Sequence, residues 1–297
     1  MECGSLSLVV GIATAGRREV LSETLGFIAR QTRLPDLLVI CPVSPDDVDA
    51  DSIARFPGRV EIVRGSVGLP SQRNRILSAS RSADLIVFFD DDFFPDREYL
   101  AEVERMFDEQ PDVVASTGFL IADGAQGPGI SVQEGKELLS ESQGDTDRQP
   151  FELYGAYGCN MSFRLTPIRE NHILFDENLP LYGWQEDIDF SRRLASFGKI
   201  VKSSRMRGVH LGTKRGRTSG VRLGYSQVAN PIYLCRKGTF AWTRAVRFIS
   251  RNVVANLVRS FRPEPWVDRR GRLKGNILAA IDVSIGRLSP RRILELE

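Results

Sequence analysis

The chain has 297 residues, of which 26% are charged and 42% hydrophobic, and its net charge at pH 7 is +2. These values are ordinary for a globular protein, and the absence of an 18-residue apolar run argues against a transmembrane helix. The first apolar stretch is short and lacks a preceding basic segment, so we expect no secretory signal. Four scattered cysteines without metal-type spacing favour a reduced compartment, and we expect a cytoplasmic protein of one large or two modest domains.

The small net charge conceals a strong division along the chain. Residues 201–297 contain 21 Lys or Arg against 5 Asp or Glu, a net charge of +16, whereas residues 1–200 carry −14. Such asymmetry predicts an anionic partner for the C-terminal third, and nucleic acid, a membrane surface and a phosphorylated ligand all remain open. We therefore divide the chain into a domain at 1–212 and a basic extension at 213–297.

From the N-terminus to about residue 122 the pattern alternates between strands and helices. The predicted strands cover residues 6–13, 36–41, 60–63, 85–89 and 112–121. Helices are predicted at 18–31, within 45–55, at 68–80 and at 96–110. This order predicts an α/β fold with a mainly parallel sheet between helices, in which ligands bind beyond the carboxyl ends of the strands.

The fourth predicted strand ends in three consecutive carboxylates. The apolar run Leu85–Phe89 indicates a strand that is buried on both faces, and Asp90, Asp91 and Asp92 follow it directly. Three negative charges at such close range repel one another unless a positive group lies among them. A divalent cation with oxygen ligands would satisfy this need, and a solvated turn that caps the next helix is the alternative.

The segment from 122 to 150 is rich in Gly, Gln and Ser, and we predict a mobile loop with a helical trace at 132–139. Loops of this length in compact domains are often substrate lids. Further on, a helix is predicted whose first turn bears Glu186, Asp187 and Asp189. Carboxylates there also suit ordinary helix capping. A short strand is predicted at 199–202, and the segment 208–210 follows it.

The basic C-terminal region is predicted to form helices at 225–237, 241–261 and 273–285. In the second of these, five arginines fall within about 120° of the helix circumference, opposite an apolar cluster. They are Arg244, Arg247, Arg251, Arg259 and Arg262, and the apolar residues are Trp242, Val246, Ile249, Val253 and Leu257. The helices either pack on the domain at 1–212 with solvated arginines or lie on an anionic membrane surface.

Five motifs occur along residues 6–212 in an order that resembles the family 2 glycosyltransferases with the GT-A fold. The motifs are Thr14-Ala15-Gly16-Arg17, Gly68-Leu69 with Arg73-Asn74, Asp90-Asp91-Asp92, Gly158 to Arg164, and Trp184 with Glu186-Asp187-Ile188-Asp189. The chain looks most like bacterial members that build exopolysaccharide or other surface glycans. Those enzymes use a nucleotide-sugar donor and a divalent metal, and they invert the anomeric carbon.

The resemblance implies a role for individual residues. Asp90 and Asp92 would hold Mg²⁺ or Mn²⁺, and His210 matches the position of an additional ligand, with a structural histidine as the alternative. Asp187 matches the catalytic base, and Glu186 would position the acceptor or the helix. The donor-binding positions are Thr14, Arg17, Arg73, Asn74, Asp90, Asp91 and Asn160. The basic residues Lys214, Arg215 and Arg217 would close over the diphosphate.

Two departures from the family pattern affect the expected nucleotide pocket. The usual Pro-Thr-Tyr-Asn-Arg is replaced by Ala13-Thr14-Ala15-Gly16-Arg17. The acidic residue after the second strand is replaced by Cys41-Pro42, and Asp46 or Asp47 would have to compensate. UDP is the favoured nucleotide, and dTDP and GDP stay open.

The expected acceptor is a glycan or a glycan on polyprenyl diphosphate, which would bring the protein to the inner face of the plasma membrane. One rival hypothesis is a nucleotidyltransferase, although its glycine-rich loop and lysine after the first strand are missing apart from Gly16-Arg17. Another is a non-enzymatic protein that binds an anionic polymer. We expect no nucleic-acid partner, because no recognition motif or series of stacking aromatics accompanies the charge.

Overall fold

A computed structural model describes residues 5–142, 149–214 and 218–297 of the chain. The strands are β1 Leu8–Thr14, β2 Leu37–Pro42, β3 Val60–Ile62, β4 Leu85–Asp90, β5 Phe93–Pro95, β6 Val113–Asp123, β7 Phe151–Glu152, β8 Asn160–Arg164 and β9 Lys199–His210. The helices are α1 Arg18–Ile28, α2 Ala50–Ala54, α3 Leu69–Ala79, α4 Tyr99–Glu109, α5 Val132–Glu141, α6 Leu165–Glu170, α7 Glu186–Leu194, α8 Gly220–Lys237, α9 Trp242–Arg259 and α10 Arg269–Ser284. Among these described helices, none has both the length and the apolar character that crossing a bilayer requires.

The helices and strands agree with the predicted order, apart from several differences. Residues 93–95 form β5 and the next helix begins only at Tyr99, because Phe93 and Phe94 pair with β9. The prediction omitted β7, β8 and α6, and β9 continues to His210 instead of ending at Lys202. Helices α8 and α10 begin earlier than predicted because Ser219 and Asp268 cap them, each accepting a hydrogen bond from a first-turn backbone N–H.

The strands form one mixed sheet in the order β3-β2-β1-β4-β8-β6-β9-β5, with β7 paired to β9. The expected parallel pairing holds for β3, β2, β1 and β4 and again for β6 with β9. The pairings of β8, β5 and β7 are antiparallel, so the mainly parallel sheet also contains antiparallel strands. Antiparallel β8 lies between two parallel sections and reverses the strand direction there.

The core of the sheet is built from the predicted apolar runs. Leu85 to Phe89 of β4 are each at most 1% exposed, which confirms a strand buried on both faces. Phe89, Phe93 and Tyr99 stack or meet edge to face, with ring centroids 5.0–5.7 Å apart. This cluster fixes the turn that follows β4, because Phe93 lies directly after the acidic triplet.

The predicted loop at 122–150 contains regular structure. Helix α5 occupies 132–141, and its Val132, Leu138 and Leu139 pack against the buried Phe94, Val209 and Leu211. Residues 143–148 lie outside the described part of the chain, so the predicted mobility stays a prediction. The helix predicted at 132–139 is therefore present, and its apolar residues are spaced so that they make this contact.

The chain divides into two compact units. The described residues of the first unit are 5–67, 71–142, 149–174 and 193–214, and they include the whole sheet. Those of the second unit are 68–70, 175–192 and 218–297. The core of the second unit consists of buried residues from α8, α10 and the C-terminal turn, namely Tyr225, Val228, Ala229, Ala279 and Ile293.

Two glycines allow α8 and α10 to approach closely within the second unit. A Cβ on Gly224 would lie 2.0 Å from the Arg272 carbonyl oxygen, and one on Gly275 would lie 2.1 Å from the Val221 oxygen. Both obstacles are backbone atoms, which cannot rotate away as a side chain can. The two helix axes can therefore pack at this distance only with glycine at both positions.

We predict that Gly275→Ala lowers the free energy of unfolding by about 1–3 kcal/mol, because the added methyl group forces the helices apart. Urea unfolding followed by circular dichroism measures the change.

Gly26→Ala is the matched control within a helix, since the nearest atom to its added Cβ would be Arg30 Nη1 at 3.6 Å. There we expect a gain of roughly 0.5–1 kcal/mol from reduced backbone entropy of the unfolded chain. Equal effects of the two substitutions would contradict the role given to the close helix contact.

Candidate active site

The acidic triplet lies where the register of several strands brings other polar residues to it. Asp90 is the last residue of β4 and pairs with Ala13 near the end of β1. Phe93, which follows the triplet, pairs with His210 at the end of β9. His210 is also opposite Asp123 in the β6–β9 pairing. The sheet thus places Asp92 and His210 together, although 118 positions separate them in the sequence.

Asp90, Asp92 and His210 present one ligand atom each, and these three atoms lie within 4.8 Å of one another. His210 Nε2 is 3.4 Å from Asp92 Oδ1 and 3.9 Å from Asp90 Oδ2. Asp92 Oδ1 is buried and accepts no hydrogen bond from the described residues. A buried carboxylate oxygen without a donor is costly, and a divalent cation would satisfy it. Two carboxylates with one imidazole suit Mn²⁺.

His210 is held by a carboxylate on the side away from the other ligand atoms. Its Nδ1 lies 2.8 Å from Asp123 Oδ1 and donates to it, while the Tyr157 hydroxyl donates to Asp123 Oδ2 over 3.1 Å. This partner on Nδ1 fixes the ring orientation and leaves Nε2 toward the aspartates. The sequence contained no signal for Asp123 or Tyr157, because only the β6–β9 register brings Asp123 to the histidine.

The charges around His210 favour its protonated form when no cation is present. Burial lowers the pKa of His210, but the hydrogen bond to Asp123 and the charges of Asp92 and Asp90 outweigh burial and raise the pKa to about 10. A cation that binds Nε2 therefore has to displace a proton from the imidazolium.

Asp91, the middle carboxylate, binds the segment that follows β1. Its Oδ2 accepts a hydrogen bond of 2.7 Å from Thr14 Oγ1, and its Oδ1 accepts one of 2.8 Å from Arg17 Nη1. Burial raises the pKa of Asp91 above its ordinary value, and the charge of Arg17 opposes this shift. Asp91 therefore positions Thr14 and Arg17, and no such role was predicted for it.

The other oxygen of Asp92 binds the backbone after β9. Asp92 Oδ2 accepts a hydrogen bond of 2.7 Å from the Thr213 N–H and lies 3.6 Å from Arg17 Nη1. Burial raises the pKa of Asp92, but His210, Arg17 and the Thr213 amide outweigh it and hold the pKa below the usual range. Lys214 donates to the carbonyl oxygens of Gly124 and Ala125. The other two basic residues predicted to close over a diphosphate, Arg215 and Arg217, lie outside the described residues.

Three further predicted donor-binding residues have different surroundings. Arg73 is buried and donates from Nη2 to Asp90 Oδ1 at 3.1 Å and to the Gly158 oxygen at 2.8 Å. Asn160 is fully buried, and its Oδ1 accepts a 2.6 Å hydrogen bond from Thr117 Oγ1. Asn74 is half-buried on α3. Arg73 thus joins the acidic triplet directly, whereas the Asn160 carboxamide oxygen links β8 to β6.

Two polar residues shape the strand ends that border the site. Gln72 Nε2 donates to the carbonyl oxygens of Thr14 at 3.1 Å and Cys41 at 2.7 Å, which ties the ends of β1 and β2 to α3. Asp47 is buried, and its two oxygens accept hydrogen bonds from the backbone N–H groups of Gly16 and Ser44. Of the two aspartates expected to compensate for Cys41-Pro42, Asp47 is thus engaged by backbone and Asp46 is exposed.

The predicted catalytic carboxylates belong to the second unit, at the start of α7. Glu186 is buried, and Asp187 is half-buried and accepts a 2.8 Å hydrogen bond from the Ile188 N–H. Asp189 is 0% exposed and accepts hydrogen bonds from Lys237 Nζ at 2.8 Å and Thr239 Oγ1 at 2.7 Å. These contacts anchor the first turn of α7 to the end of α8.

The backbone before α7 has an unusual conformation. Leu181, Gly183 and Gln185 have φ values of +58°, +63° and +70°, which L-residues rarely adopt. Asn230 Nδ2 of α8 donates to the Trp184 carbonyl oxygen at 2.8 Å, and the Leu69 N–H donates to the Leu181 oxygen at 2.7 Å. Strained residues persist where surrounding contacts over-determine them, and they concentrate at functional sites.

Comparison with known proteins gives one family. The model of glycosyl transferase family 2 matches residues 9–171, which is more than half of the chain. No curated protein sequence matches.

Solved structures with the same fold include several glycosyltransferases at low sequence identity. GalNAc-T7 with UDP, GalNAc and Mn²⁺ has a TM-score of 0.57 at 14% identity, over 95% of this chain and 59% of its own. The mannosyltransferase PcManGT from Pyrobaculum calidifontis, with GDP-Man and Mn²⁺, has a TM-score of 0.53 at 14% identity, and the match covers 97% of this chain and 82% of PcManGT. S. aureus TarS with UDP-GlcNAc has a TM-score of 0.53 at 14% identity, and the match covers 97% of this chain and 83% of that TarS chain. The chain spans under two thirds of GalNAc-T7 and 55% of a longer TarS structure.

We predict that Asp123→Ala weakens Mn²⁺ binding about 10- to 100-fold, because the imidazole loses the partner that orients it. In the metal-free variant the pKa of His210 should also fall from about 10 toward its ordinary value, since the hydrogen bond that most favours the imidazolium is removed. Isothermal titration calorimetry measures the first effect, and an NMR pH titration of the histidine rings measures the second.

The chain has only two histidines, so the variant His172→Gln assigns the resonances. Asp112→Ala is the matched control, because Asp112 pairs with the exposed Lys199. An unchanged His210 pKa in Asp123→Ala would contradict the assigned contact.

The ion pairs of Lys237 generate a second prediction. Lys237 Nζ lies 2.6 Å from Asp176 and 2.8 Å from Asp189, both of which are largely shielded from solvent. Lys237→Met removes the positive charge that lies against both carboxylates, and we expect the free energy of unfolding to fall by about 3 kcal/mol. Urea unfolding measures this loss.

Lys199→Met is the matched control, since it breaks an ion pair that is exposed to solvent and contributes little to stability. Adding Asp189→Asn to Lys237→Met should recover part of the loss. If the two lysine variants are equally stable, Lys237 does not anchor α7.

Proposed function

The chain belongs to glycosyl transferase family 2, as its motifs predicted, and we propose that it transfers a sugar from a nucleotide-diphosphate donor to a hydroxyl group with inversion. The predicted GT-A fold is confirmed by the matching structures, and the family decides against the rival nucleotidyltransferase. The observation that carries the proposal is the cluster of Asp90, Asp92 and His210 with its buried, unsatisfied Asp92 oxygen.

The first unit provides the groups for the donor. Asp90, Asp92 and His210 would hold Mn²⁺ or Mg²⁺, and the cation would supply positive charge for the departing nucleoside diphosphate. Arg17 and Arg73 add positive charge beside the triplet, each through a hydrogen bond to one of its carboxylates. Asp91 holds Thr14 and Arg17 in place for this purpose. The Mn²⁺ in the GalNAc-T7 and PcManGT structures supports this choice of metal.

Asp187 is the proposed general base. In the inverting reaction the acceptor oxygen forms a bond to the anomeric carbon while the bond to the diphosphate oxygen breaks. Asp187 takes the proton of the acceptor hydroxyl, and the bonding electrons leave with the nucleoside diphosphate. A single carboxylate suffices here, whereas a glycoside hydrolase of the usual type needs a pair. Glu186 is proposed to position the acceptor, and Lys237 keeps the helix that bears both groups in place through Asp189.

UDP-sugars are the proposed donors, and the UDP in the GalNAc-T7 structure and the UDP-GlcNAc in the TarS structure support this choice. GDP-sugars are also to be tested, because the PcManGT structure contains GDP-Man. The proposed acceptor is a glycan or a polyprenyl-diphosphate-linked glycan at the cytoplasmic face of the plasma membrane. Metal-dependent release of nucleoside diphosphate from UDP-, dTDP- and GDP-sugars tests the donor. No release from any of them would contradict the proposed activity.

We predict that Asp92→Ala and Asp187→Asn fail at different steps. Asp92→Ala removes a cation ligand and should weaken metal-dependent donor binding at least tenfold. Asp187→Asn keeps the size of the side chain but cannot accept the proton, so donor binding should persist while transfer falls about 100- to 10,000-fold. Calorimetry with UDP and Mn²⁺ measures binding, and product formation measures transfer.

Asp51→Asn on α2 is the control for the loss of one carboxylate charge, and it should leave both quantities unchanged. Full transfer by Asp187→Asn would remove the base assignment while leaving the donor site intact.

A further inference from the structure

Helix α9 exposes apolar side chains on the side away from the core of its own unit. Ile249 and Val253 pack against that core, and Ala245 is buried. The apolar side is wider than this contact, however. The exposed apolar residues are Val246, Val254 at 57%, Leu257, Val258 at 63%, and Phe261 at 79% just beyond the helix. They fall within an arc of about 120° at 100° per residue.

Helix α10 continues this apolar surface. Ile277, Ile281 and Ile285 are each about half exposed. An open groove of about 530 Å³ joins the two helices and is lined by Ser260, Phe261, Arg270, Leu273, Lys274, Ile277 and Leu278. We call the exposed apolar residues of α9 and α10, with this groove, the α9–α10 face.

Positive charges border the α9–α10 face, and the nearby acidic residues are already engaged. Arg247, Arg251 and Arg262 make no ion pair with any residue in the described ranges. Glu264, by contrast, pairs with Arg259 and Arg269 at 2.7 and 2.9 Å. Asp268 caps α10, and Asp282 is buried against Tyr225 and Arg292. The face therefore combines exposed apolar side chains with uncompensated positive charge.

We propose that the α9–α10 face docks on the surface of an anionic phospholipid bilayer. Apolar side chains such as Val258 and Phe261 enter the boundary between headgroups and acyl chains, and the arginines contact lipid phosphates. A bilayer is the partner that fits this face best, because its negative charge is complementary to the arginines that border the face. A second copy of the chain would bring like charges together at the same surface. A nucleic acid would use the arginines but would leave the aliphatic side chains in water.

The proposal extends the proposed function, because docking would bring the enzyme to a lipid-linked acceptor. It does not depend on the transfer chemistry, and the two can fail separately. Release of nucleoside diphosphate from a donor sugar needs no membrane, so that assay reports on the first unit alone.

Co-sedimentation of the full chain with lipid vesicles tests the proposal. We expect binding to mixed phosphatidylcholine–phosphatidylglycerol vesicles and little binding to phosphatidylcholine alone. The charge variant Arg247→Gln/Arg251→Gln/Arg262→Gln should lower the partition coefficient for the mixed vesicles about 100-fold. The apolar variant Val254→Ser/Val258→Ser/Phe261→Ser should lower it at least tenfold. All of these side chains are exposed, so thermal unfolding should show that both variants fold.

Matched controls come from the first unit. Arg55→Gln/Arg59→Gln/Arg81→Gln removes three exposed positive charges, and Ile62→Ser removes an exposed apolar side chain. Both should bind vesicles as the parent chain does. Equal loss in the control and test charge variants would overturn the proposal, because net charge alone would then explain binding. Concentration-dependent self-association that the apolar variant abolishes would also overturn the proposal. Binding to DNA without binding to vesicles would overturn it as well.

Discussion

Three adjacent carboxylates, two of them buried, are the constraint on which the first unit depends. Asp91 and Asp92 are almost completely buried at the end of a strand that is itself buried on both faces. Like charges at this distance are tolerated only if positive and hydrogen-bonding groups surround them. Arg17, Arg73 and His210 provide the charge, and Thr14 and the Thr213 amide provide hydrogen bonds. One oxygen of Asp92 is still unsatisfied, and the site is thereby shaped for a cation.

The mixed sheet is what gathers these groups. The parallel section places the ends of β1 and β4 side by side, which was predictable from the alternation of strands and helices. The antiparallel β5–β9 pair then brings His210 to the residue after the triplet. Locally, β5 is only three residues long, with a proline that suggests a break in structure. Its strand conformation depends on a partner more than a hundred residues away, and no local pattern could predict it.

Residues with a recognisable local motif were predictable, and residues that act through distant contacts were not. The acidic triplet, Arg17, Arg73 and His210 were all named from the sequence, and the structure brings them together. Asp123, Gln72 and Lys237 were missed because each is an ordinary polar residue in its own segment. Their partners lie 87, 58 and 48 positions away. Predicting them requires the strand register or the helix packing, which are properties of the whole fold.

The charge of the C-terminal third was predictable, but its relation to the segment that bears the proposed base was not. Residues 175–192 belong to the same compact unit as α8, α9 and α10. A boundary at residue 212 would separate Asp189 from Lys237 and Trp184 from Asn230. Deleting residues 240–297 would likewise remove Ala279 and Ile293 from the core that also receives Leu181. A loss of membrane binding in such a truncation would not distinguish docking from misfolding, and only substitutions on the exposed face separate the two.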